Sequence, residues 1–192
     1  MKRIAWLLVG IVTVVATVAL TRPTSGRADE SARPAFLTEV PQGHRDLALI
    51  SVSRLTAGNG ASQLRAELGN AIAMKAYRER NVPFPDGAVI AALHWKEASS
   101  EENNKVLAIG FPGAGIQSFV PSAALNMQFM VKDSVKYAAT GGWGFGDFTN
   151  GKPGNEALMK TCFACHQPAE DRDFVFTRYS PQFESTPEEG TK

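Results

Sequence analysis

Cysteine is scarce in this chain. Only two of its 192 residues, Cys162 and Cys165, carry a thiol, and histidine occurs three times. No cysteine lies near the N-terminus, which excludes a lipoprotein anchor. No run of like charges stands out and no internal repeat is present, so neither a charged interaction tail nor a repeat array is indicated. The segments do not alternate as βαβ units, which argues against a redox C-x-x-C at a strand–helix junction.

What is present begins with an export pattern. Lys2 and Arg3 precede IAWLLVGIVTVVATVAL at 4–20, which carries no charge, and Gly26-Arg27-Ala28 follows as a small-x-small site. That is the tripartite form of a secretory signal, cut near Ala28. The rival is an uncleaved anchor. Seventeen helical residues rise only about 25 Å, however, against a hydrocarbon core of roughly 30 Å. A periplasmic location is the expectation, with 4–20 as a membrane anchor if cleavage does not occur. Removing residues 1–28 from 192 leaves 164, enough for one ordinary domain. Lys2, Arg3, Arg22 and Arg27 are then lost from 20 basic residues against 19 acidic ones, so a formal +1 becomes −3. Nucleic acid is a poor partner for such a surface.

In an oxidising compartment two thiols often pair, so a Cys162–Cys165 disulfide is the plain alternative. Zinc needs a fourth ligand, and His44 and His94 are far away in sequence. The stretch KTCFACHQP is better read as C-x-x-C-H, a c-type haem attachment site. Cysteines at i and i+3 on one helical turn face the same way and can form thioethers with two haem vinyl groups. His166, directly after Cys165, is then placed to bind iron axially. Asn155 can cap the helix EALMKTCFACH that this geometry needs, and Gln167-Pro168 ends it.

The rest of the chain predicts a polar leader and first element over 29–61, a domain over 62–180, and a polar tail over 181–192. Residues 44–56 read as helix or strand. A helix capped by Ser62 runs to Arg80, with Leu64, Leu68, Ile72 and Ala76 at i+4 spacing. A Pro-Asp-Gly turn closes 81–87. Residues 88–96 read as a strand, 98–104 as a polar turn, and VLAIGF as an extended segment. Further extended segments fall at 118–121 and 125–132, a short helix capped by Asp133 at 133–140, and a period-two strand at 143–149. The fold class is α+β, a mainly antiparallel β sheet with flanking helices and one covalently bound haem.

Four stretches, taken in order and spacing, resemble the cytochrome P-460 family, which includes the beta-type cytochromes c-prime. They are GNAIAMKAYRERNVPFPDGAVIAALHWK (69–96), QSFVP (117–121), FMVKDSVKYAATGGWGFGDF (129–148) and CFACHQPAEDRDFVFTRY (162–179). The resemblance implies one c-type haem, a homodimer, and a five-coordinate iron with an open distal face. Carried over by position, it makes Cys162 and Cys165 the thioether cysteines and His166 the proximal ligand. Active members carry a lysine cross-linked to the porphyrin, and that position is Ala92 here. Lys96 shares its strand face but lies about 13 Å further along, too far to substitute. A carboxylate associated with hydroxylamine oxidation matches Gln128. Both departures point to the beta-type cytochrome c-prime branch, with an apolar distal pocket that binds small gases.

Ile90, Ala92, Gln128 and Phe145 are the expected distal-pocket residues. His94 shares strand parity with Ala92 and could supply a sixth ligand, though a histidine at a strand end is more often packed or solvated. Met127 and Met130 could each offer a thioether, though methionine in an apolar strand is more often core. Phe129, Trp143, Phe145 and Phe148 are candidates to wall the haem, and His44 reads as a surface residue. Three functions follow. The first is a His-ligated haem protein that binds nitric oxide or carbon monoxide, in nitrogen-oxide metabolism or detoxification. The second is an oxidoreductase converting hydroxylamine or a nitrogen oxide. The third is a six-coordinate electron carrier with a redox partner protein.

Overall fold

Among the described residues, each strand pairs antiparallel with the next in sequence, giving one six-stranded sheet whose spatial order follows the chain. A computed structural model describes residues 36–180. The expected signal, residues 29–35 and the tail at 181–192 lie outside the described residues. The strands are β1 (Ala48–Thr56), β2 (Ser62–Gly69), β3 (Val89–Ser99), β4 (Phe119–Lys132), β5 (Trp143–Thr149) and the short β6 (Lys152–Pro153). Helices α1 (Ala71–Glu79), α2 (Glu101–Gly110) and α3 (Glu156–His166) sit between or after them. Among the described residues, no helix is long and apolar enough to cross a membrane.

The helix expected over 62–80 is corrected. Residues 62–69 form β2, and α1 begins only after Asn70, whose side chain accepts from the Ala73 N–H. The physical reason is that a spacing of four is also even. Leu64 and Leu68 share a face in a strand as well as in a helix, and Ala66 joins them only in the strand. The polar turn and extended segment expected over 98–111 are also corrected. Ser100 caps α2, and Glu101 and Glu102 in its first turn complement the helix dipole. No residue of α2 is buried. The two extended segments at 118–121 and 125–132 are one long strand, β4. The segment expected as a helix at 133–140 contains only a 3-10 turn, Ala138–Thr140. Residues 48–56 are strand, preceded by a 3-10 turn at His44–Asp46.

Strand register sorts the residues into two faces. Across β2, β3, β4 and β5, Glu67, Ala92, Gln128 and Asp147 form one row, and Gly69, Ile90, Met130 and Phe145 the next. All eight share a face because side chains alternate with period two. The opposite face carries a separate apolar cluster of Ala91, Phe129 and Phe148. The N-terminal segment covers it with Leu37, Val40 and Leu47. His44 lies there too, with its ring edge-on to Phe129 at 6.3 Å. It is therefore half-buried packing rather than a free surface residue.

Candidate functional site

Helix α3 lies over the face that carries Ile90, Ala92, Gln128 and Phe145. Its start is fixed by Asn155, whose side chain accepts from the Leu158 N–H at 2.9 Å. Cys162, Cys165 and His166 occupy its last two turns. Both thiols are free, Cys162 half-buried and Cys165 exposed. Burial, and then the nearby Asp147 charge, push the Cys162 thiol upward, so it stays protonated.

Between α3 and the sheet is a cavity of about 200 Å³. That is below the roughly 300–1,000 Å³ range of ligand pockets, so the cavity marks the site without enclosing a whole cofactor. Cys162, Cys165, His166, Leu158 and Thr161 line its helix side, and Ile90, Ala92, Gln128, Met130 and Phe145 line its sheet side. Every expected distal-pocket residue is therefore on the cavity wall.

His166 is held from one side only. Its Nδ1 donates to the Phe174 carbonyl at 2.7 Å. Phe145 and Phe176 flank the ring at centroid distances of 5.1 and 4.9 Å. Burial keeps its pKa below the usual histidine value, which leaves the imidazole neutral with an Nε2 lone pair to offer. Two cysteines on one helical turn, a neutral histidine beside them and a cavity in front of all three fit a haem. Among the described residues, no cluster of three histidine, cysteine or acidic side chains could hold a bare metal ion.

The other candidates separate. Met130 lines the cavity. Met127 sits on the opposite face against the Phe129 cluster, so it cannot reach the cavity. Lys96 is exposed and off the cavity wall. Trp143 and Phe148 are fully buried away from it, and Phe129 packs on the far face although it borders the cavity. His94 is buried, its Nδ1 paired with the Gln63 side chain at 3.0 Å, and it does not line the cavity.

Sequence reasoning missed Arg65 and Asp147, and both line the cavity. Arg65 was hidden by the helix reading of 62–80. Asp147 was legible, since it shares strand parity with Phe145. Its carboxylate accepts from Asn126 at 2.7 Å and from Gln128 at 2.9 Å. The expectation of an apolar distal pocket with few donors is corrected in part. The row through Ile90, Met130 and Phe145 is apolar, and the row through Gln128 and Asp147 is polar.

Burial, and next the Arg65 charge, lower the His94 pKa. A depressed histidine binds fewer protons folded than unfolded. Its contribution is complete above the ordinary value near 6.5 and is lost as pH falls through the folded value. Thermal midpoints taken from pH 7.5 to 5 should therefore fall more steeply for the wild type than for His94→Gln. Equal slopes would remove His94 from the acid response.

No curated protein matches the chain. The cytochrome P460 family model matches residues 41–177, which includes the whole sheet and all three site residues of α3. The chain belongs to the cytochrome P460 family, whose members are haem proteins.

Proposed function

We propose that this protein is an exported mono-haem c-type cytochrome that binds nitric oxide or carbon monoxide at a five-coordinate iron. Cys162 and Cys165 would form the two thioethers and His166 would be the sole strong axial ligand. The observation that carries this reading is the one-sided fixing of His166, with Nδ1 tied to Phe174 and Nε2 left for the cavity. Among the described residues lining the cavity, His166 is the one imidazole and Met130 the one thioether. A bound haem would supply an iron that takes up neutral diatomic ligands. Ile90, Ala92 and Met130 offer such a ligand an apolar surface that demands no proton, while Phe145, expected in the distal pocket, packs against the His166 ring. Ala92 in place of a cross-linking lysine leaves the porphyrin unmodified. The protein is further proposed to act as a homodimer in the periplasm, in nitrogen-oxide metabolism or detoxification.

A second reading, conversion of hydroxylamine or a nitrogen oxide, is favoured by Arg65 and Asp147. The Arg65 Nε is buried with only a long ion pair to Glu67 at 3.5 Å, and Asp147 is 5% exposed at the polar end of the cavity. Those groups could hold a charged or hydroxylated substrate. The deciding experiment is the optical spectrum of the ferrous protein with and without carbon monoxide, run beside a hydroxylamine turnover assay. Gas binding is expected to give a five-coordinate spectrum that carbon monoxide converts fully, with negligible turnover. A six-coordinate ferrous spectrum would assign Met130 to iron. Turnover on the order of 1 per second or faster would favour the enzyme.

A further inference from the structure

The carbonyl that accepts from His166 belongs to an unusual piece of backbone. Asp173 and Phe174 follow one another with φ of 53° and 64°. Two successive non-glycine residues in the left-handed region are unfavourable, and phenylalanine there is a true outlier. Such conformations persist only where the surroundings over-determine them. Here a buried ion pair does so. The Asp173 carboxylate accepts from Lys132 Nζ at 2.6 and 2.9 Å, and its Oδ2 also accepts from the Phe84 N–H at 2.8 Å. Lys132 and Asp173 side chains are each only 6% exposed. Lys132 Nζ donates further to the Gly141 carbonyl at 3.0 Å and lies 4.9 Å from the Trp143 ring centroid.

The Phe174 ring is fixed by the same loop. A Cβ on Gly141 would lie 2.1 Å from it, so the ring occupies space that only glycine leaves. The backbone N–H of Phe174 donates to the Ala169 carbonyl at 2.8 Å. With the Asp173 carboxylate, the Phe174 ring and the Phe174 N–H all held, the Phe174 carbonyl has one direction left, toward Nδ1 of His166.

A buried ion pair is weak as a source of net stability, since apolar residues of similar size often do as well. What it does supply is placement. The group that accepts from a metal-bound histidine sets the tautomer, the ring orientation and the basicity of the nitrogen facing the metal. We propose that the Lys132–Asp173 ion pair is the positioning element of the proximal histidine, setting the strength of the iron–His166 bond through the Phe174 carbonyl. The proposal rests on the reading that His166 ligates haem iron, and it adds to that reading two residues that touch neither haem nor ligand.

The test uses haem-loaded Asp173→Asn and the apolar double variant Lys132→Met with Asp173→Leu. The double variant removes both charges together and so guards against simple misfolding. Haem content by intact mass should equal the wild type in both. The ferrous iron–histidine stretching band should move to lower frequency. The midpoint potential should rise by the equivalent of about a 10-fold to 100-fold weaker hold on ferric relative to ferrous iron, the usual scale for losing such an outer partner. A wild-type band and potential in both variants, whatever happens to the thermal midpoint, would reduce the pair to a structural role and overturn the proposal. A wild type that carries no haem would overturn the functional reading itself, and this proposal with it.

Discussion

Replacing Cys162 and Cys165 together by alanine is expected to abolish covalent haem, while His166→Ala is expected to keep it. The two cysteines sit three residues apart on α3, where side chains are about 5–6 Å apart and face one way. Each would contribute one thioether; neither is in a disulfide, and the Cys162 thiol donates only weakly to the Leu158 carbonyl at 3.8 Å. Without them a haem would be held by His166 and by apolar contact with Ile90, Met130 and Phe145, both reversible. Cys165 is exposed, so among the described residues the cavity meets solvent at that edge. Denaturing mass spectrometry after expression with haem-maturation machinery should show the wild type one haem heavier than the apo chain and the double variant at apo mass. His166→Ala should retain the added mass but lose the ferrous iron–histidine band. A double variant that kept covalent haem, or a wild type with a Cys162–Cys165 disulfide in its place, would sink the attachment.

Phe148→Ala is expected to cost about 3–5 kcal/mol of stability while leaving the iron spectrum unchanged. Phe148 is fully buried on the face of the sheet away from the cavity. Its ring stacks edge-on against Phe129 at 5.8 Å and lies over Gly146, where a Cβ would come within 2.6 Å of it. The backbone of β5 has thus been cleared to seat this ring, and the N-terminal segment closes over it through Leu37. Truncation leaves a void that neither the strand nor Leu37 can fill without moving backbone. Urea unfolding of the holoprotein should show the loss with an unchanged slope. A spectrum altered as much as the stability would mean that the two faces of the sheet are coupled, contrary to the separation of the two clusters.

The chemistry-bearing residues were legible in the sequence because they are local. C-x-x-C-H places three groups on two helical turns whatever the rest of the chain does, and Asn155 announces that helix four residues after Gly151. Period-two alternation in WGFGDFT identified β5, and strand parity puts Ile90 with Ala92 on the cavity wall. The same parity rule, applied to Phe145, would have added Asp147. Spacing alone misled at 62–80, since Leu64 and Leu68 satisfy helix and strand alike, and that error concealed Arg65. It misled again at VLAIGF, where α2 is held by the Ser100 cap and its acidic first turn rather than by any buried face.

By itself, then, the sequence determined the C-x-x-C-H motif, the antiparallel sheet, the export pattern and haem attachment as expectations, and the membership of a haem family through motifs in order. Only the tertiary structure decided which residues face which way. Met127 and Met130 differ by three positions, an odd number, so pairing with β3 and β5 sends one to the far core and the other to the cavity. His94 has the parity of a ligand but is occupied by Gln63 from the neighbouring strand. The Lys132–Asp173 pair joins residues 41 apart, and its effect on His166 passes through a left-handed turn. Local propensity does not encode that turn, because it is stable only when both buried charges have found each other.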